Sequence, residues 1–334
     1  MIPKQQRRVV IASWPSGEVS EANFRLEDAP VPEPGPGQVL VRTLYLALDP
    51  YMRGVLSEGG VLGLRTTIGE PMRGGVVGEV VRSNTPDFAV GDIVEDRLSW
   101  EEYAVGPRQV MRKVDPSIAS VSTANSILGM TGMTAYFGLF EFTETKPGET
   151  VVVSGAAGGV GQAAVQLARI AGCRVIGIAG GADKCAFVRD ELGADAVIDY
   201  RTERDMAAAV RAACPGGVDV YFDLTSGPIS EAVMANLRLN ARIAVVGGSS
   251  GQPAPAMSNF IGRRITARGF IIFDHSHRWE PAIRAMGQLV KAGRLKYRDA
   301  ITDGLENAPR AFVEMLRGKA GLGKPQVKVA ERKS

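Results

Sequence analysis

The chain has 334 residues, enough for about two domains at roughly 150 residues each, and long enough to bury a core in both. Hydrophobic residues at 45% and charged residues at 22% are ordinary for a globular chain and exclude disordered, collagen-like and coiled-coil architectures. Thirty-nine Lys and Arg against 36 Asp and Glu leave a net charge of +3, too weak a field for a nucleic-acid or membrane-surface binder.

Nothing in the sequence approaches the ~18 consecutive apolar residues of a membrane span. The apolar run Val9-Val10-Ile11-Ala12 stops at Trp14-Pro15, which makes it a first strand rather than a signal-peptide core. The three cysteines, Cys173, Cys185 and Cys214, are odd in number and have no C-x-x-C spacing, so a reduced, cytoplasmic setting is expected.

Residues 1–120 carry short β-like runs at Val9–Ala12, Val39–Leu48, Val76–Val81, Ile93–Glu95 and Val110–Val114. The proline-rich stretch from Pro30 to Gly37 reads as a rigid extended connector between them. Beyond residue 122 the rhythm changes to strand, Gly-rich turn and amphipathic helix. Strands are expected at Val151–Ser154, Arg174–Ala179, Ala196–Ile198, Val218–Asp223 and Arg242–Gly247. Helices are expected at Gly161–Gly172, Asp183–Leu192, Arg204–Ala213 and Ile229–Leu239. Such alternation predicts a doubly wound, largely parallel sheet. Trp279–Lys291 and Leu305–Arg317 read as helices, and Gln326–Val329 as a last strand able to return to the first domain.

Glycine, at 40 residues, exceeds its usual share of ~7% and falls in short clusters. The most informative cluster is Ser154-Gly155-Ala156-Ala157-Gly158-Gly159-Val160-Gly161, between an apolar strand and a helix. It departs from G-x-G-x-x-G but has that motif's context, in which bare backbone and a helix N-terminus receive a pyrophosphate. The next strand ends Ala179-Gly180-Gly181 with no carboxylate at its tip to hold a ribose hydroxyl, and Lys184 follows on the next helix, a combination that favours NADP. Asp183 fits a helix cap or first-turn acid. With only His275 and His277, expected to alternate along an extended loop, and no cysteine in the first half, no zinc ligand set assembles and no metal is expected.

Several segments resemble one family. They are Ala12-Ser13-Trp14-Pro15, Leu48-Asp49-Pro50-Tyr51-Met52-Arg53-Gly54, Gly129-Met130-Thr131-Gly132-Met133-Thr134-Ala135-Tyr136, and Ile301-Thr302-Asp303-Gly304-Leu305-Glu306-Asn307-Ala308-Pro309. The chain resembles the medium-chain dehydrogenase/reductases, in their zinc-independent branch of prostaglandin reductases, plant alkenal double-bond reductases and curcumin-reductase-like proteins. The resemblance implies an α/β fold in which a Rossmann doubly wound parallel sheet domain, 123–296, is joined to a mostly β GroES-like domain, 1–122 with 297–334.

It also implies NADPH-dependent reduction of the carbon–carbon double bond of an α,β-unsaturated carbonyl compound, a small-molecule substrate. Hydride goes to the β-carbon, hydrogen bonds stabilise the enolate oxygen, and a proton reaches the α-carbon. By motif match Gly158, Gly159, Val160 and Gly161 face the pyrophosphate, Lys184 and Tyr200 the 2′-phosphate, and Gly247, Gly248 and Ser249 the nicotinamide side, while Tyr51 lines the substrate cleft. A homodimer built on the nucleotide-binding domains is expected. Leu224, Gln252 and Ala320 stand where relatives commonly carry Asn, Tyr and Asn. An NADPH quinone reductase and a catalytically silent NADP-binding protein are the competing functions.

Overall fold

The computed structural model describes residues 1–107, 111–248 and 260–332. The chain divides into two compact units, residues 1–125 with 299–334 and residues 126–298.

In chain order the first unit opens with β1 (Gln5–Ile11), antiparallel to β2 (Phe24–Pro30). There follow β3 (Gln38–Ala47), β4 (Arg73–Ser83), β5 (Ile93–Ser99), β6 (Tyr103–Pro107) and the short β7 (Arg112–Lys113). Of the strand expected at 110–114, Val110 lies outside the described residues. The second unit holds α1 (Met130–Phe137), β8 (Thr150–Val153), α2 (Gly159–Ile170), β9 (Arg174–Ala179), α3 (Ala182–Ala186) and β10 (Ala196–Asp199). It continues through α4 (Met206–Ala213), β11 (Val218–Asp223), α5 (Gly227–Met234), β12 (Leu237–Val245), α6 (Phe260–Arg263), β13 (Thr266–Gly269) and α7 (Trp279–Lys291). The chain then completes the first unit with β14 (Asp299–Asp303), α8 (Ala308–Leu316) and β15 (Lys324–Lys328).

The first unit's main sheet runs β14-β15-β3-β4-β5-β7, with β6 also paired to β3. β15 lies antiparallel to β3 and parallel to β14, so the C-terminal segment is built into the sheet between them. Trp100, Phe24 and Phe312 anchor the core on one face: Phe24 stacks on Trp100 at 5.8 Å and Phe312 meets both edge-on. Such aromatic contacts add about 0.5–1.5 kcal/mol each beyond area burial.

The second unit is a six-stranded parallel sheet of order β10-β9-β8-β11-β12-β13. This is the Rossmann doubly wound arrangement, whose strand order reverses at β8/β11 and opens a crevice at the carboxyl ends of those strands. Buried Gln162 and Gln166 on α2 each clasp the departing chain in both directions. Gln162 donates to Arg298 O at 3.1 Å and accepts from Arg298 N at 2.9 Å, and Gln166 does the same with Lys296 at 2.8 Å. These contacts fix α2, the helix behind the Gly-rich turn, against the backbone of 296–298.

Two expectations are corrected. The helix expected over Ile229–Leu239 stops at Met234, and Leu237 already belongs to β12. Asn236 ends it, donating through its side-chain amide to Ala232 O at 2.9 Å and Ala207 O at 3.0 Å, a cap that apolar periodicity does not register. His275 and His277 sit on a 3-10 segment, Ile272–Arg278, rather than an extended loop; its continuation straight into α7 makes the path helical. There His275 lies against Phe137 and Phe142 at centroid distances of 6.1 and 5.0 Å, an aromatic neighbourhood.

Candidate active site: a dinucleotide cradle and a fixed tyrosine

The Gly-rich turn begins where β8, apolar and inward-facing, runs out at Val153. Gly155 adopts φ +59°, the left-handed conformation that glycine enters without a Cβ penalty. Gly158 N donates back to Gly155 O at 3.0 Å, and Ala156 N donates to Ile178 O on β9 at 3.0 Å, which close the turn. Gly158 is the N-cap of α2 and offers no side-chain acceptor, so Gly159, Val160 and Gly161 are the first three helical residues. Amides at these positions have no acceptor within their own helix and point out of its positive end. The expected helix start at Gly161 therefore moves back to Gly159, and the whole Gly159–Gly161 run becomes amide surface. A Cβ at Gly161 would overlap Gly155 O and come within 2.7 Å of Ala156 Cα, so only glycine lets helix and turn approach this closely.

At the tip of β9, Gly181 (φ +95°) caps α3, and Lys184 lies one turn in. Asp183 takes the first-turn position, the cap itself being Gly181. Tyr200 packs against Gly180: a Cβ there would meet its ring and hydroxyl at 2.5–2.6 Å. Burial pushes the Lys184 pKa down and the charge of Arg201 pushes it further, which puts the two cations in one neighbourhood. The Arg201 guanidinium reaches to 3.4 Å from the Cβ position of Gly181.

Arg201 is a residue that sequence reasoning missed, since it lies in the turn just after β10 and reaches this place only through the β9–β10 pairing. So is Asp199. The tip of β9 carries no carboxylate of its own, yet Asp199 accepts from Gly181 N at 2.9 Å and Arg201 N at 3.0 Å through one oxygen. Those two backbone bonds hold its pKa low and commit the oxygen to shaping the turn.

At the third corner, β11 ends in Asp223, the hub of a buried network. Asp223 accepts from Tyr221 Oη at 3.0 Å, Ser230 Oγ at 2.7 Å, Thr225 N at 3.0 Å and Ser226 N at 2.9 Å. Ser154 Oγ takes the amide of Leu224 at 2.9 Å, tying this loop to the end of β8. Gly247 packs on Leu224, whose carbonyl would stand 3.3 Å from a Cβ there, and accepts from Ser226 Oγ at 3.3 Å. Gly248 follows against Ser226 Oγ. Ser249 and Gln252 lie outside the described residues.

Within the first unit Tyr51 lies on the 3-10 turn Pro50–Val55, half-buried against the apolar core. Burial, and after it the Asp49 carboxylate, drive its pKa far above the ordinary tyrosine range. The phenol therefore stays protonated, the form that can donate.

A six-stranded parallel sheet with a glycine turn at its switch point and two cations beside the second strand defines a dinucleotide-binding protein. Residues 7–114 match the family described as N-terminal domain of oxidoreductase, and residues 159–288 the family described as zinc-binding dehydrogenase. The NADPH-dependent curcumin reductase of Escherichia coli (strain K12) is 41% identical, over 98% of both chains. The NADP(+)-dependent 2-alkenal reductase of Nicotiana tabacum is 35% identical over 97% of both. CurA from Vibrio vulnificus, solved in complex with NADPH, superposes with a TM-score of 0.90 at 38% identity, over 98% of this chain and 100% of that one. The chain belongs to the medium-chain dehydrogenase/reductase family.

The second family description raises zinc. Among the described residues no three or more His, Cys, Asp or Glu side chains are grouped to hold a metal ion. Cys173 and Cys214 are buried with thiol pKa values pushed up to about 11 by burial, the opposite of a metal-binding thiolate environment. The residues present do not fit a zinc site.

Proposed function

We propose that the chain is an NADPH-dependent, zinc-independent reductase of the carbon–carbon double bond in α,β-unsaturated carbonyl compounds. Support comes from the second unit's cradle, where a glycine turn at a helix N-terminus and the neighbouring Lys184 and Arg201 offer two places for anionic groups. Gly159, Val160 and Gly161 would hold the pyrophosphate on backbone amides, with Gly158, whose own amide is taken by Gly155 O, facing it without a side chain, and Lys184, Arg201 and Tyr200 would hold the 2′-phosphate. Gly247 and Gly248, kept free of side-chain bulk beside Leu224, would leave room for the nicotinamide end. Relatives that are named curcumin reductase and 2-alkenal reductase align over nearly the whole chain.

When bound, NADPH supplies the hydride that adds to the β-carbon of the acceptor. Reduction then builds negative charge on the carbonyl oxygen, and Tyr51, held neutral by burial, donates a hydrogen bond to it. Tyr51 Oη is also the protein's candidate for holding the proton that the α-carbon takes up.

NADPH consumption with enals, enones, phenylpropenoids and quinones, with and without exhaustive chelation, tests this assignment. Saturated carbonyl products formed at unchanged rate in chelator are the expected result. Turnover of quinones alone, or NADPH binding without turnover on any acceptor, would replace it.

Cofactor choice has its own signature. NADPH is expected to bind more tightly than NADH, and Lys184→Ala and Arg201→Ala are each expected to remove about 1.5–3 kcal/mol of that preference, the worth of a hydrogen bond to a charged group. Fluorescence titration of both cofactors against both variants measures it; equal affinities in the unmodified protein would reject the 2′-phosphate assignment.

We also propose a cytoplasmic homodimer. The three cysteines are free, and no helix among the described residues is long and apolar enough to cross a membrane. Within the described sheet β13 is an edge strand with every residue exposed, a surface able to pair with a second copy. Light scattering should give twice the 35.5 kDa chain mass, and a monomer at micromolar concentration would reject the dimer.

A further inference from the structure

Lys324 and Asp49 form an ion pair deep in the first unit, at 1% and 4% exposure. The Lys324 ammonium donates to Asp49 Oδ1 and also to Leu48 O at 2.6 Å, while Leu48 N donates to Pro325 O at 3.1 Å. The first two residues of β15 therefore grip residues 48 and 49 at three points. Asp49 in turn starts the 3-10 turn that carries Tyr51: Met52 N donates to Asp49 O at 3.0 Å, and Asp49 N faces Met52 Sδ at 3.3 Å. Met52 is itself locked. Its terminal methyl occupies the space left by the missing side chain of Gly74, where a Cβ would come within 2.5 Å.

A buried ion pair is a poor stabilising device, because desolvating both charges offsets most of their attraction and apolar residues of the same volume often do as well or better. Here the pair adds what apolar packing lacks, a directional link between the C-terminal strand and the two residues preceding Pro50 and Tyr51. Tyr51 lies between two fixed neighbours, Asp49 tied to Lys324 and Met52 seated on Gly74.

We propose that Lys324 and Asp49 are positioning residues for Tyr51, setting the phenol's place and leaving the chemistry to it. The proposal rests on the donor role given to Tyr51 above.

The test is a double-mutant cycle in the full-length protein, with Lys324→Met, Tyr51→Phe and the two combined, measured on the fastest acceptor of the panel. Lys324→Met is expected to lower kcat about 10²-fold, the scale of a misplaced catalytic group, with the NADPH dissociation constant unchanged. In the Tyr51→Phe background it is expected to lower kcat no further. Asp49→Asn, which keeps the volume and the Lys324–Leu48 bond, is the second variant should Lys324→Met fold poorly; it is expected to show the same non-additivity.

Protein labelled with 3-fluorotyrosine gives a readout without turnover: the fluorine resonance identified by its loss in Tyr51→Phe is expected to shift in either variant. Full kcat in folded Lys324→Met and Asp49→Asn, multiplicative losses in the cycle, or an unmoved resonance would overturn the proposal. If Tyr51→Phe alone retains full kcat, the donor role of Tyr51 fails and this inference with it; if Tyr51→Phe is slow while the pair's variants are not, this inference alone fails.

Discussion

Tyr51→Phe is expected to lower kcat about 10²–10³-fold, the loss typical of one transition-state hydrogen-bond donor, while leaving NADPH affinity and thermal midpoint near their starting values. The ring that packs on the core survives the substitution and only the hydroxyl goes, so the packing contribution is retained. A donor used mainly in the transition state appears in kcat rather than in binding.

The pH dependence follows from the same environment. Burial and Asp49 favour the neutral phenol, so the donor form persists through the ordinary tyrosine pKa near ~10. No alkaline fall in kcat is expected there. Steady-state kinetics against pH, with a melting curve of the variant, check both statements. A Tyr51→Phe enzyme with full kcat would transfer the proton to water or to another donor.

The second large effect belongs to Gly161. Gly161→Ala puts a methyl group into Gly155 O and against the Ala156 backbone, neither of which can swing aside as a flexible side chain would. Overpacking of this kind costs about 1–3 kcal/mol of stability. Relieving the overlap moves the start of α2, whose amides are proposed for the pyrophosphate, and losing even one bond to a charged group, about 1.5–3 kcal/mol, weakens NADPH binding at least ~10-fold. Gly216→Ala is the control, since a Cβ there meets nothing within 4 Å. Melting curves and cofactor titration of the pair decide it: wild-type affinity in Gly161→Ala would place the pyrophosphate elsewhere.

What was legible in the chain was whatever local pattern alone dictates. Alternating apolar strands and amphipathic helices announced the parallel sheet, and α4, β9 and α7 lie within a residue or two of their expected bounds, Asp205 capping α4 by accepting from Ala208 N at 2.9 Å. Less visible were elements whose residues carry no such period. β2 at Phe24–Pro30, buried only at Phe24 and Ala29, and the exposed β13 at Thr266–Gly269 lack strict alternation, and α1 at Met130–Phe137 is buried at nearly every position. Burial on every side erases the stripe that periodicity detects.

The glycine turn, Lys184 and Tyr51 are contiguous motifs, and the sequence by itself determined them along with the class of cofactor they point to. Arg201 and Asp199 reach the tip of β9 only because β10 pairs beside it in parallel register. Lys324 reaches Asp49 across 275 positions of chain only because β15 is built into the sheet next to β3. Local sequence encodes backbone preference and burial, whereas proximity between distant charges is created by strand pairing. The placing of Arg201 beside Lys184 and of Lys324 against Asp49 was decided by the tertiary structure alone.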